Sequence, residues 1–163
     1  MYSDYFQTIV SALLPACQAV YGARLKSLAL FGSVARGTMR PDSDIDVLLI
    51  AAPLPAARSS RLDEFEQVEQ DLAPFFKRAR GAGVDTDLSA VIKTPEELRQ
   101  GSLLFLDMVE QARLLHDPER LLRGYLDGLA ARLQAMGARR ITQGGGYYWV
   151  LTPDFKPGDR IAL

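Results

Sequence analysis

The chain has 163 residues, 48% of them apolar and 24% charged, with a formal net charge of −1. That length and balance suit a single folded domain over residues 1–163 and exclude a disordered chain. The near-neutral charge excludes a global positive field, so no long nucleic acid is expected as a partner. The one cysteine, Cys17, and the one histidine, His116, exclude a disulfide framework, a cysteine-built zinc site and a histidine metal cluster.

In chain order, residues 4–21 carry Phe6, Ile9, Val10, Leu13, Leu14 and Cys17 at three- and four-residue spacing. This predicts a helix with Cys17 on its core face, Gly22 after its end, and a kink at Pro15. Leu25–Phe31 reads as a short apolar strand ended by Gly32-Ser33, followed by a polar connection over 36–43. Residues 44–51, Asp-Ile-Asp-Val-Leu-Leu-Ile-Ala, form the clearest strand. Residues 58–80 have helical spacing, with Pro74 predicting a kink or an early break. After the Gly81 and Gly83 turn, residues 84–92 alternate like a strand. Thr94-Pro-Glu-Glu is a capping-box helix start, with Thr94 as cap and Glu97 three residues on.

Two further helices are expected over 102–114 and 118–136, with His116 in the turn between them. From about 138 to 163 the chain becomes a glycine-, proline- and aromatic-rich tail with a short strand or hairpin at 147–151. No run reaches the roughly 18–20 apolar residues that a membrane span requires, and the N-terminus has no basic signal region. No membrane contact and a cytoplasmic location are the expectation.

The chemistry concentrates between residues 28 and 51. Side chains two apart on a strand share a face, so Asp44 and Asp46 project together, and Leu48 and Ile50 continue that face. Two like charges on a partly buried strand are costly unless a cation lies between them. A carboxylate pair can bridge two divalent ions, and all-oxygen ligands favour Mg²⁺, which also binds substrate phosphates. Gly32 lets backbone approach a phosphate, Ser33 adds a hydroxyl beside exposed amides, and Arg36 and Arg40 suit phosphate oxygens. The combination points to a metal–triphosphate site.

Gly32-Ser33, ten residues, then Asp44-Ile45-Asp46, flanked by Phe31, Ala35-Arg36-Gly37 and Ser43, resembles the DNA polymerase β-type nucleotidyltransferase superfamily. Its minimal stand-alone prokaryotic branch, MNT, is the nearest match. The resemblance is specific over residues 28–51 and looser over 84–117. It implies an α/β fold: a small mixed β-sheet of four or five strands, with helices mainly on one face. It further implies transfer of a nucleoside monophosphate, AMP by analogy, from a nucleoside triphosphate such as ATP to an acceptor hydroxyl, releasing pyrophosphate. Two Mg²⁺ ions would be held by Asp44 and Asp46. The phosphates would be held around Gly32, Ser33, Arg36 and Ser43.

The resemblance also implies a third carboxylate on the neighbouring strand. Asp87 is preferred as metal ligand and base, and Asp85 is the alternative. Minimal members resemble antitoxins paired with HEPN-type toxins that accept AMP on a protein hydroxyl, while other relatives modify small molecules. The rival reading is a catalytically weak, antitoxin-like module that acts on a HEPN-type partner by contact. The apolar residues Leu103, Leu104, Leu106, Met108, Val109 and Leu114 are its candidate surface. The aromatic tail either stacks a base or seals the edge of the core.

Overall fold

The computed structural model describes residues 1–161. A four-stranded sheet forms the centre, in the order β3-β2-β1-β4. Strand β1 (Leu25–Phe31) is antiparallel to both β2 (Ile45–Ala51) and β4 (Arg113–His116). Strand β3 (Leu88–Lys93) runs parallel to β2 along one edge. The sheet is therefore mixed, as expected of this fold.

Both faces of the sheet are covered. Helices α1 (Tyr2–Tyr21) and α3 (Arg58–Gly81) pack on the face built from Leu28, Leu30, Ile45, Val47 and Leu49. Helices α4 (Pro95–Gln100), α5 (Leu104–Gln111) and α6 (Leu121–Ala135) pack on the face built from Ala29, Leu48 and Ile50. The helical cover thus extends beyond the one face emphasised by the resemblance. The alternation along β2 explains it: both residue sets of this strand are apolar beyond Asp46, and each needs a partner layer.

Pro15 and Pro74 lie inside continuous helices α1 and α3. Residues 84–87 do not join the sheet ladder as strand: the Val84 amide donates to the Ala79 carbonyl and the Asp85 amide to the Pro41 carbonyl. The strand expected at 84–92 therefore begins at Leu88. The capping box forms as expected, with the Thr94 amide donating to Glu97 Oε2 at 2.9 Å and the Glu97 amide to Thr94 Oγ1 at 3.2 Å. Arg61, almost fully buried, donates to Glu97 Oε2 at 2.7 Å and to the Pro55 carbonyl at 2.6 Å, tying α3 to α4. That guanidinium holds the Glu97 carboxyl below its usual range.

His116 ends β4 opposite Leu28 instead of lying in a turn. Its neighbour Asp117 accepts the hydroxyl of the buried Ser27 at 2.7 Å and the amides of Leu122 and Arg123, so it starts α6. Cys17 is buried, as its place on the apolar stripe predicts, and burial pushes its thiol up to about 12. The apolar segment around α5 is largely core: Phe105, Leu106 and Met108 are buried, while Leu103 is exposed. It is therefore not the broad exposed partner surface that its composition suggests.

The tail forms an antiparallel hairpin of β5 (Arg139–Gln143) and β6 (Gly146–Val150). It is separate from the main sheet, and Trp149 and Leu151 pack against the second core. No helix among the described residues is long and apolar enough to cross a membrane.

Candidate active site

The end of β1 and the start of β2 meet at one edge of the sheet, with Phe31 paired to Asp46. The chain leaves β1 at Gly32, turns into the short helix α2 (Gly32–Arg36), and leaves that helix through Gly37 in the left-handed region. Gly32 has φ +69°, and a side chain there would overlap the Asp46 carboxylate, with Cγ only 3.0 Å from the added carbon. Glycine is thus required twice, by backbone conformation and by space. The close approach locks the Gly-Ser turn against the second aspartate.

The connection from α2 to β2 is held at several points. The Thr38 amide donates to the Ser33 carbonyl at 2.9 Å, and the Tyr2 hydroxyl to the Met39 carbonyl at 3.2 Å. Ser43 Oγ accepts the Arg40 amide at 2.8 Å, and Arg40 pairs with Asp42 at 3.2 Å. Ser43 and Arg40 therefore shape the loop through their own contacts. Arg36 reaches the other way: its Nη1 donates to Gln111 Oε1 on α5 at 3.4 Å.

Asp44 is exposed and Asp46 half-buried. Burial is the largest influence on Asp46 and raises its pKa above the ordinary carboxylate value. The Ser89 hydroxyl opposes that shift by hydrogen bonding, Asp44 adds to it by charge repulsion, and Arg36 opposes it by attraction. The two aspartates thus interact electrostatically, as their strand spacing predicts.

On β3 the register places Ser89 beside Asp46 and Leu88 beside Ile45. The Ile45 amide donates to the Asp87 carbonyl at 2.9 Å, so the Asp87 backbone lies alongside the Asp44–Ile45 entry to β2. The Asp87 carboxylate, however, is engaged with Arg80 Nη2 at 2.5 Å, and Asp85 lies 3.6 Å from Arg80 Nε. Among the described residues no group of three His, Cys, Asp or Glu side chains is close enough together to hold a metal ion. The structure brings together Gly32, Asp44 and Asp46, with Ser33 and Arg36 on α2 beside them. It leaves Asp87 paired with an arginine at the margin.

Residues 10–105 match the nucleotidyltransferase domain family. The chain belongs to that family. A protein of Methanocaldococcus jannaschii named as a protein adenylyltransferase, MJ1305, is 30% identical over 121 residues, covering 73% of this chain and 77% of that protein. Among solved structures, a mutant of the toxin–antitoxin pair MntA-HpeT superposes with a TM-score of 0.50 at 23% identity, covering 77% of this chain and 89% of that one. At that identity the likeness shows the shared fold. The chain is thus a nucleotidyltransferase by family and by fold.

Four contributors are not singled out by the sequence. Ser89 becomes visible only through the parallel register, because the strand boundary read from alternation starts four residues early. Arg80, at the end of α3, holds Asp87. Asp107 and Gln111 lie in a helix read as apolar, and it is the tertiary fold that turns them toward the hairpin and Arg36.

Proposed function

We propose that the chain transfers AMP from ATP to a hydroxyl of a protein partner, with release of pyrophosphate. The observation that carries this reading is the contact of Gly32 with Asp46, which joins a phosphate-type turn to a carboxylate pair. The 30% identical relative named as a protein adenylyltransferase supports both the nucleotide and the protein acceptor. A HEPN-type protein is the proposed partner, on the strength of the resemblance to minimal antitoxins.

The donor set fits hydrated Mg²⁺: Asp44 and Asp46 offer oxygen ligands only, and this ion is commonly held by one or two carboxylates together with substrate phosphates. Two ions would be held by these aspartates, with Asp87 as the further ligand. When bound, Mg²⁺ supplies charge neutralisation for the triphosphate and the leaving pyrophosphate. The residues themselves bind and orient. Ser33 and the backbone at Gly32 take the β- and γ-phosphates, Arg36 contributes positive charge, and Ser43 holds the loop that carries Asp44. The acceptor oxygen forms a bond to the α-phosphorus as the bond from that phosphorus to the bridging oxygen breaks. The acceptor proton passes to the Asp87 carboxylate, which first gives up its pair with Arg80.

A second reading is favoured by one observation. Ser89 occupies the register position beside Asp46, and Asp87 is committed to Arg80. A centre with two carboxylates suits a module that binds nucleotide and neutralises its partner by contact.

The test is incubation of the protein and its genomic-neighbour proteins with ATP labelled at either the α- or the γ-phosphate. Transfer of α-label to protein, lost in Asp46→Asn, is expected. Transfer of γ-label would contradict nucleotidyl transfer, and no transfer with intact Mg²⁺-dependent ATP binding would favour the contact reading.

A further inference from the structure

The aromatic hairpin and the proposed phosphate-binding arginine meet on one face of one helix. On α5, Asp107 Oδ1 accepts Trp149 Nε1 of the hairpin at 3.4 Å, and Gln111 Oε1, one turn on, accepts Arg36 at 3.4 Å. Residues four apart on a helix are neighbours on its surface. Glu110 of the same helix pairs with Arg140 of β5 at 3.5 Å. The hairpin is therefore fastened beside α2, the helix that begins at the Gly-Ser turn.

Tyr147 and Trp149 are two apart on β6 and share a face of the hairpin. Trp149 is half-buried against the second core, so it holds the hairpin in place. Tyr147 does not need to be buried to do that, and it keeps 41% of its surface exposed. Arg140 lies over one side of its ring, 5.2 Å from the centroid, which orients the ring. The Tyr147 phenol is also within reach of Asp107 and of the Arg36 charge. Its pKa is raised, by partial burial first and by Asp107 next, so the hydroxyl stays protonated and the ring neutral.

We infer that the C-terminal hairpin forms the nucleobase platform of this enzyme, with the exposed Tyr147 ring as the stacking surface for the base of a nucleoside triphosphate whose phosphates lie at α2. This rests on the triphosphate reading above. It gives a role to a Gly-Gly-Gly-Tyr-Tyr-Trp segment that neither the Gly-Ser turn nor the aspartates require. Stacking accepts any base, so the platform adds affinity for nucleosides without choosing strongly among them.

The test separates base from phosphate. ATP and inorganic tripolyphosphate are each titrated calorimetrically into the full chain with Mg²⁺, using wild type, Tyr147→Leu and Tyr147→Phe. Leucine keeps apolar bulk in the hairpin and removes the aromatic face, whereas phenylalanine keeps the face. Trp149 is the one tryptophan of the chain, so its emission reports whether the hairpin is still docked. Tyr147→Leu should weaken ATP about ten-fold or more, leave tripolyphosphate within about two-fold, and keep the Trp149 emission, while Tyr147→Phe should bind ATP as wild type does. ATP affinity unchanged in Tyr147→Leu overturns the platform, as does an equal loss for ATP and tripolyphosphate. A wild type that binds neither compound sinks the triphosphate reading itself, a result distinct from the other two.

Discussion

Gly32 and Asp46 are in direct contact across the end of the β1–β2 ladder, and the space that a Gly32 side chain would need is filled by the Asp46 carboxylate. The consequence is that the turn and the acid cannot move independently. A residue with φ +69° at this point also has a left-handed conformation that costs a non-glycine residue roughly 1–2 kcal/mol.

Gly32→Ala should therefore do more harm than its size suggests. Strain and displacement of Asp46 combine, and a loss of about 2–4 kcal/mol in stability is expected. Mg²⁺-dependent ATP binding should fall at least ten-fold. Thermal unfolding and calorimetry measure the two effects, and an alanine variant that matches wild type in both would show that the contact is incidental.

The legibility of this region differs sharply from strand to strand. Strands β1 and β2 carry their own evidence: an apolar run, a Gly-Ser stop, and alternating aspartates all report on local structure, and β1 and β2 lie within one residue of where the pattern puts them. The third strand does not. Residues 84–87 alternate as a strand would, but their amides go to Ala79 and Pro41, contacts set by the end of α3 and by the loop before β2. Register is a property of two strands, so the pairing of Asp46 with Ser89 could not be read from either alone. The same holds for β4, too short at four residues to stand out from the helix before it, and for the docking of the hairpin.

Asp46 makes stability depend on pH in a definite direction. Its folded pKa is raised above the ordinary value, mainly by burial. The folded state then binds more protons than the unfolded state between those two values. Its contribution is fully present below the ordinary carboxylate pKa and is lost as pH rises through the raised folded value. Asp46→Asn removes that loss. In chelator, the variant should match or exceed wild type in denaturant stability near neutral pH, with the advantage shrinking as pH falls toward the ordinary carboxylate range. An advantage that grows on acidification would contradict the burial argument.

Asp87 and Asp85 both touch Arg80, at 2.5 and 3.6 Å. If Asp87 is the base, Asp87→Asn should lower transfer by about 10²–10⁴-fold and leave ATP affinity within about ten-fold. Asp85→Asn should do far less. Single-turnover transfer and calorimetry on the same preparations decide it; the reverse order of effects would assign the role to Asp85.

Removal of residues 138–163 strips Trp149 and Leu151 from the second core. Burying a large apolar side chain contributes roughly 1.5–3 kcal/mol, so the melting temperature should drop by about 3–12 °C. An unchanged melting temperature would mean that the hairpin adds no packing energy to the body it rests on.

The central claim is that Asp44 and Asp46 join Mg²⁺ to a triphosphate. The most direct measurement is a calorimetric titration of ATP with Mg²⁺ and with chelator, on wild type and Asp46→Asn. Wild type should bind Mg²⁺ and ATP with positive coupling, typically about 1–3 kcal/mol, and Asp46→Asn should remain folded yet lose most of it. ATP binding of equal strength with and without Mg²⁺, unaltered by Asp46→Asn, would contradict the claim.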